Sequence, residues 1–211
     1  MTDHPLAFVD VETTGLDARI HQPWEVSIWL EEDPAPWTTQ VRHTLDHADP
    51  RALEIGGYWN RCGSLGVDTG TRPAHIANTL RGRTLVAANP AFDAAFLTRL
   101  IGAPVWHYRL IDVSAGVMWL LGWDRPRSLL DTCAALRDRG FTIPEPDHTA
   151  QGDVRAVRAV YDALRDLAPD RARAAAAIEA ADAAADAGDD QPGSWSERLA
   201  DAALGSTGAP R

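Results

Sequence analysis

Residues 6–16 read LAFVDVETTGL. The apolar run over 6–11 predicts a buried strand. Two acids, Asp10 and Glu12, stand two residues apart. On a strand both carboxylates therefore point to one face, while Val9 and Val11 point the other way into a core. At about 5 Å in an effective dielectric near 20, two carboxylates repel by roughly 3 kcal/mol. A fold tolerates that repulsion if cations sit between them. By itself a D-x-E pair is a common strand end, so its weight depends on the rest of the chain.

Two more clusters lie downstream, NPAFDAAFL at 89–97 and HTAQGD at 148–153. A short apolar strand over 84–88 runs into Asn89-Pro90, a cap and first-turn pair that opens a helix. Asp93 falls in that first turn, where an acid is favoured by the helix dipole. Phe92, Phe96, Leu97 and Leu100 form the buried stripe. The carboxylate would then project toward the crevice at the strand's carboxyl end. His148 and Asp153 are five apart, which on one helix would separate them by about 140°. Pro144 and Pro146 instead predict that His148 lies in a loop and Asp153 in the first turns of a helix over 149–167. The loop can then fold back over the carboxylate. The helix carries Val154, Val157, Val160, Tyr161 and Leu164 on one face.

Around these clusters the pattern predicts further strands at 24–30 and 37–45, joined by the turn EEDPAP. A strand over 108–111 should lead into a helix ending at 121. Helices are expected over 50–55, ended by Gly56-Gly57, over 71–80 with Pro73 near the start, and over 128–137, closed by Gly140. Three strands followed by alternating helices and strands predict an α/β fold, a mixed sheet with helices on its faces.

The chain divides into a domain over 1–168 and an alanine-rich acidic tail over 169–211. The tail is expected to be helical over 170–187 and partly disordered. A capping box at Ser194 precedes Trp195, Leu199 and Leu204; this is either a frayed terminus or a small amphipathic segment that docks on a protein partner. The two cysteines, Cys62 and Cys133, have no CxxC pairing, which argues against zinc and for a reducing, cytoplasmic setting. The start of the chain predicts no secretory leader, and no apolar run is long enough to span a membrane. Net charge is −10. That excludes tight, non-specific duplex binding by a broad basic face, but not capture of one strand end at a metal site. All 20 basic residues are arginine. Arginine pairs bidentately with phosphate, although codon bias in a GC-rich genome accounts for the count as well.

Hard carboxylates gathered from distant positions suit divalent cations, and a neighbouring histidine supplies a base near neutral pH. Such a pair of cations eases deprotonation of a water and stabilises both the attacking and the leaving oxygen of a phosphodiester. FVDVETTGL, NPAFDAAFL and HTAQGD, in this order, resemble the three exonuclease motifs of the DEDDh (DnaQ-like) 3′→5′ exonucleases. The resemblance covers residues 6–167. The segment ADPRALEIGGY at 48–58 is similar to a weaker family segment, and Glu25 stands where the second strand often carries a glutamate. Ala88 departs from a frequent histidine, and Gly57 from an isoleucine-type residue.

The resemblance implies a ribonuclease H-like fold with a five-stranded mixed sheet. It also implies two Mg²⁺ or Mn²⁺ ions: Asp10 bridging both, Glu12 and Asp153 on the first, Asp93 on the second, and His148 as the base. Thr13, Thr14, Gly15 and Leu16 would contact the terminal nucleotide, with Leu16 wedging against a base. For Gly15 a tight turn is the competing explanation. Asn89 and Phe96 are further substrate candidates, although Phe96 and the eight tryptophans are core by default. One or two tryptophans, Trp59 among them, are candidates to stack a base. The implied partner is the 3′ end of a single strand, DNA favoured, and the product a 5′-nucleoside monophosphate. The rival readings are an RNA-trimming exoribonuclease, an endonuclease of the same superfamily, and an inactive nucleic-acid-binding module.

Overall fold

The computed structural model describes residues 4–62 and 72–167, all within one unit, Met1–Leu167. The expectations for the tail lie outside the described residues, as does Thr71. Strand β1 (Leu6–Thr13) is central. On one side it pairs antiparallel with β2 (Pro23–Leu30), which pairs antiparallel with β3 (Trp37–Gln40). On the other side it runs parallel to β4 (Thr84–Ala87), and β4 runs parallel to β5 (Ile111–Asp112). The sheet order is β3-β2-β1-β4-β5, the expected five-stranded mixed sheet.

Seven helices are found among the described residues. They are α1 (Pro50–Ile55), α2 (Tyr58–Arg61), α3 (Arg72–Leu80), α4 (Pro90–Ile101), α5 (Val113–Leu121), α6 (Leu129–Arg137) and α7 (Ala150–Leu167). Several starts follow from single side chains. Asp49 accepts the Arg51 amide, Asp112 the Ala115 amide, and Ser128 the Asp131 amide. Helix α4 has proline in its first turn and ends at Gly102 with a left-handed φ of 89°. Asn89 sits at its cap but makes no side-chain capping bond.

The alternation in β1 sorts the core into two layers. Ala7, Val9 and Val11 pack with Val26 and Ile28 against Ile76 and Leu80 of α3 and Phe96 and Leu97 of α4. Phe8 faces the opposite way, with Val154, Val157 and Val160 of α7, Val117 of α5 and Cys133 of α6. Each such side chain contributes about 1.5–3 kcal/mol of burial, so both layers hold the sheet firmly. A third, smaller cluster of Trp24, Leu53 and Tyr58 fastens α1 and α2 beside β2.

Three expectations need correction. The third strand ends at Gln40, not at 45: Val41 makes one more bond to the Trp24 carbonyl, and the next residue of that neighbour to turn its backbone groups outward, Gln22, spends them on Thr14 instead. The fifth strand is Ile111–Asp112, not 108–111: only these residues reach the end of the short β4, and Tyr108 is 77% exposed. Helix α2, just after Gly56-Gly57, was not foreseen. Gly57 takes a left-handed φ of 61° that redirects the chain into it. No described helix is long and apolar enough to cross a membrane.

Candidate active site

β1 outruns its parallel neighbour. Pairing with β4 stops at Phe8 opposite Val86, so the end of β1 that carries Asp10 and Glu12 lies beyond the ladder. Asp93, from the first turn of α4, fills the gap: its Oδ1 accepts the Val11 amide at 3.1 Å. Asp93 is 4% exposed. Helix α7 crosses the other face and brings Asp153 in its first turn. The preceding loop folds back as predicted: the amides of Asp147 and His148 donate to Asp153 Oδ1 at 3.0 and 3.2 Å. His148 is exposed. With φ of 55°, it is the one described non-glycine residue in the positive-φ region.

The four acids act on one another electrostatically. Asp10 has its proton affinity raised well above the ordinary aspartate range, first by burial, then by Asp93, Glu12, Asp153 and Glu25. Glu12 is pushed up to about 8, first by burial; Arg61 opposes the rise, while Asp153, Glu25 and Asp147 add to it. Asp93 is pushed up to about 7, chiefly by burial, against its backbone hydrogen bonds, with Asp153 adding. Asp153 is also raised by burial, partly offset by the backbone bonds from the Asp147 and His148 amides and by the His148 charge. Buried carboxylates that raise one another lack a counter-charge.

Among the described residues, no three His, Cys, Asp or Glu side chains are arranged so that they could hold a metal ion as they stand. The donor chemistry nevertheless fits a hard divalent cation: all-oxygen, anionic and desolvated. Asp10, Glu12, Asp93 and Asp153 are the candidate ligands.

The segment after the acids is only partly available to a ligand. Thr13 and Thr14 are buried; Thr13 Oγ1 donates to the Gly15 carbonyl at 2.7 Å, and Thr14 Oγ1 accepts the Gln22 amide at 3.0 Å. Leu16 is 77% exposed. Gly15 lies in a bend with φ of 159°, a conformation that L side chains rarely adopt, and a Cβ there would collide with the His21 imidazole. Phe96 is a correction. It is 1% exposed, in the layer against β1, and its burial leaves no face for a substrate. Trp59 is 70% exposed and meets Tyr58 edge-on at 5.1 Å.

Sequence reasoning missed Arg61 altogether and noted Glu25 only through the family resemblance. Glu25 lies directly opposite Glu12 in the sheet and is 3% exposed. It forms an ion pair with Arg61, and it accepts bonds from Gln40 Nε2 at 3.3 Å and the Ala150 amide at 3.2 Å. The strand register was the available signal, because a glutamate opposite Glu12 must share its face. Arg61 carries no such mark. Gly56, at the end of α1, has a plain purpose: a Cβ there would lie 2.9 Å from Glu12 Oε2.

No family model matches the chain, and no curated protein does. Solved structures do. Exonuclease X in complex with 5′ overhanging duplex DNA is similar at TM-score 0.54 and 18% identity, over 77% of this chain and 92% of that one. Exonuclease I from Methylocaldum szegediense, described as moderately thermophilic, is similar at TM-score 0.52 and 18% identity, over 79% of this chain. E. coli Exonuclease I in complex with a 5cy-dT13 oligonucleotide is similar at TM-score 0.52 and 19% identity, over 80% of this chain. The chain shares the fold of these structures. It spans only 41% of either exonuclease I chain. In this fold the acids occupy the carboxyl end of the parallel strands, the usual place for ligands in open sheets.

Proposed function

We propose that this protein is a metal-dependent 3′→5′ exonuclease, hydrolysing the terminal phosphodiester of single-stranded nucleic acid, DNA favoured, to release 5′-nucleoside monophosphates. The observation that carries this reading is the meeting of Asp10, Glu12, Asp93 and Asp153, drawn from one strand and two helices, with each acid's proton affinity raised. Their roles follow from placement. Asp10 and Glu12 come from one rigid strand and fix the floor of the site. Asp93 and Asp153 close it from opposite faces of the sheet. Together they would hold two Mg²⁺ or Mn²⁺ ions, which when bound neutralise the phosphodiester and ease deprotonation of the attacking water. His148 stands exposed at the rim, where its imidazole can take the proton from that water. Leu16 presents an apolar surface to the last base.

Support for DNA comes from solved structures of the same fold, whose ligands include duplex DNA with a 5′ overhang and a dT13 strand. The acidic chain, at −10, fits capture of one strand end rather than grip along a duplex. The test is digestion of a 3′-labelled single strand with Mg²⁺ or Mn²⁺, with and without chelator, beside a circular strand and a matched RNA. The expected result is metal-dependent release of the labelled nucleotide from DNA, with the circle intact. Cleavage of the circle would assign an endonuclease, preferred loss of RNA ends an exoribonuclease, and intact ends with both metals a binding module.

A further inference from the structure

Arg61 belongs to none of the three acidic motifs, yet its guanidinium meets three separate segments beside the site. Nη1 donates to the carbonyl of His148 at 2.8 Å and to that of Gly56 at 2.5 Å. Nη2 forms the ion pair with Glu25. The group lies over the Trp24 ring, 5.0 Å from its centroid. The carbonyl of Arg61 accepts Gln40 Nε2 at 2.8 Å, and the same amide reaches Glu25 Oε1. Glu25 Oε2 also accepts the Ala150 amide, where α7 begins. One planar fork therefore joins the turn beside Glu12, the strand acid Glu25 and the loop that carries His148. Neutralising Glu25 would need one of these contacts; the bonds to two carbonyls do something more.

We propose that Arg61 is a positioning residue, holding the backbone of His148 so that its imidazole stays over the carboxylate cluster. The inference rests on the exonuclease reading above. His148 occupies a left-handed backbone conformation that a non-glycine residue leaves unless it is held. It is held in both of the peptide units that flank its Cα, by Asp153 at the N–H and by Arg61 at the C=O. Lysine would keep the charge but cannot reproduce the fork.

The test is a double-mutant cycle with Arg61→Gln, His148→Ala and the double variant, assayed on a 3′-labelled strand with Mn²⁺. It is paired with amide hydrogen exchange on the metal-free proteins. Arg61→Gln is expected to lower kcat by about 10–100-fold, the usual range for a residue supporting a site from outside it, with little change in KM. Combined with His148→Ala it should add almost nothing, because residues that act as a unit are non-additive. In the metal-free Arg61→Gln protein, exchange at the amides of His148 and Ala150 should rise while the amides of β1 and β4 keep their protection. Arg61→Lys should fall between wild type and Arg61→Gln on both readouts, and it replaces Arg61→Gln if that variant does not fold. Losses that multiply in the double variant, or unchanged exchange at those two amides, would overturn the proposal. A wild-type protein without turnover sinks the exonuclease reading instead, and the exchange readout alone then decides whether Arg61 holds the loop.

Discussion

Glu12 and Glu25 face each other across β1 and β2 as partners in the sheet, on the same side. Their treatment is opposite. Glu25 is neutralised by Arg61 and accepts two further hydrogen bonds. Glu12, one strand away, has its proton affinity raised to about 8, and Arg61 only moderates the rise. Among the described residues, the chain thus gives an ion pair to one acid of the five, Glu25. The other four are left facing one another. A structural network would pair them, whereas a cation site must leave them open.

The comparison can be broken most sharply at Asp10. Asp10→Asn should bring turnover to background while the fold, read by circular dichroism, is kept; appreciable residual hydrolysis would separate the acid cluster from the chemistry. His148→Ala should slow turnover by roughly 10²–10⁴-fold, the worth of a general base, with Mn²⁺ affinity nearly unchanged. Retained activity near neutral pH would remove His148 from the reaction.

The two kinds of acid should also differ in the sign of their effect on metal-free stability. Glu25→Gln strands Arg61 and is expected to destabilise by about 3 kcal/mol or less, since the guanidinium keeps some solvent contact. Asp93→Asn removes a charge that burial penalises, keeps an acceptor for the Val11 amide, and should stabilise the metal-free protein near pH 8. Thermal melts of both variants check this; destabilisation by both would erase the distinction.

A smaller effect is pH dependence in the wild type. The folded proton affinities of Glu12 and Asp93 are raised, to about 8 and about 7. In that window the folded state binds more protons than the unfolded one, so metal-free stability is fullest below about pH 4 as far as these two groups act. It should decline as pH rises through about 7 to 8. Added Mn²⁺ should flatten the decline. Melts across that range with and without Mn²⁺ give the answer, and a metal-free protein that gains stability from these groups between about pH 5 and pH 8 would contradict the assigned shifts.

The strand alternation of LAFVDVET gave both faces of β1, and the Asn-Pro and Pro-x-Pro signals placed Asp93 and Asp153 at helix starts, because these features are local. The ends of β3 and β5 depend on how far a partner strand reaches and where its backbone groups are already spent, so a residue's own propensity cannot report them. Thr14 and Phe96 look available in sequence but are consumed by Gln22 and the core. Arg61 was invisible for the same reason: its partners, Glu25 and His148, lie 36 and 87 positions away.

The most direct measurement is calorimetric titration of Mn²⁺ into wild type and Asp10→Asn at neutral pH, in two buffers of different ionisation enthalpy. The account predicts saturable binding of two ions per wild-type chain with net proton release, because Glu12 and Asp93 carry protons there until a cation displaces them; in Asp10→Asn the binding should be largely lost. Equal binding by both proteins, or no saturable binding by either, would contradict it.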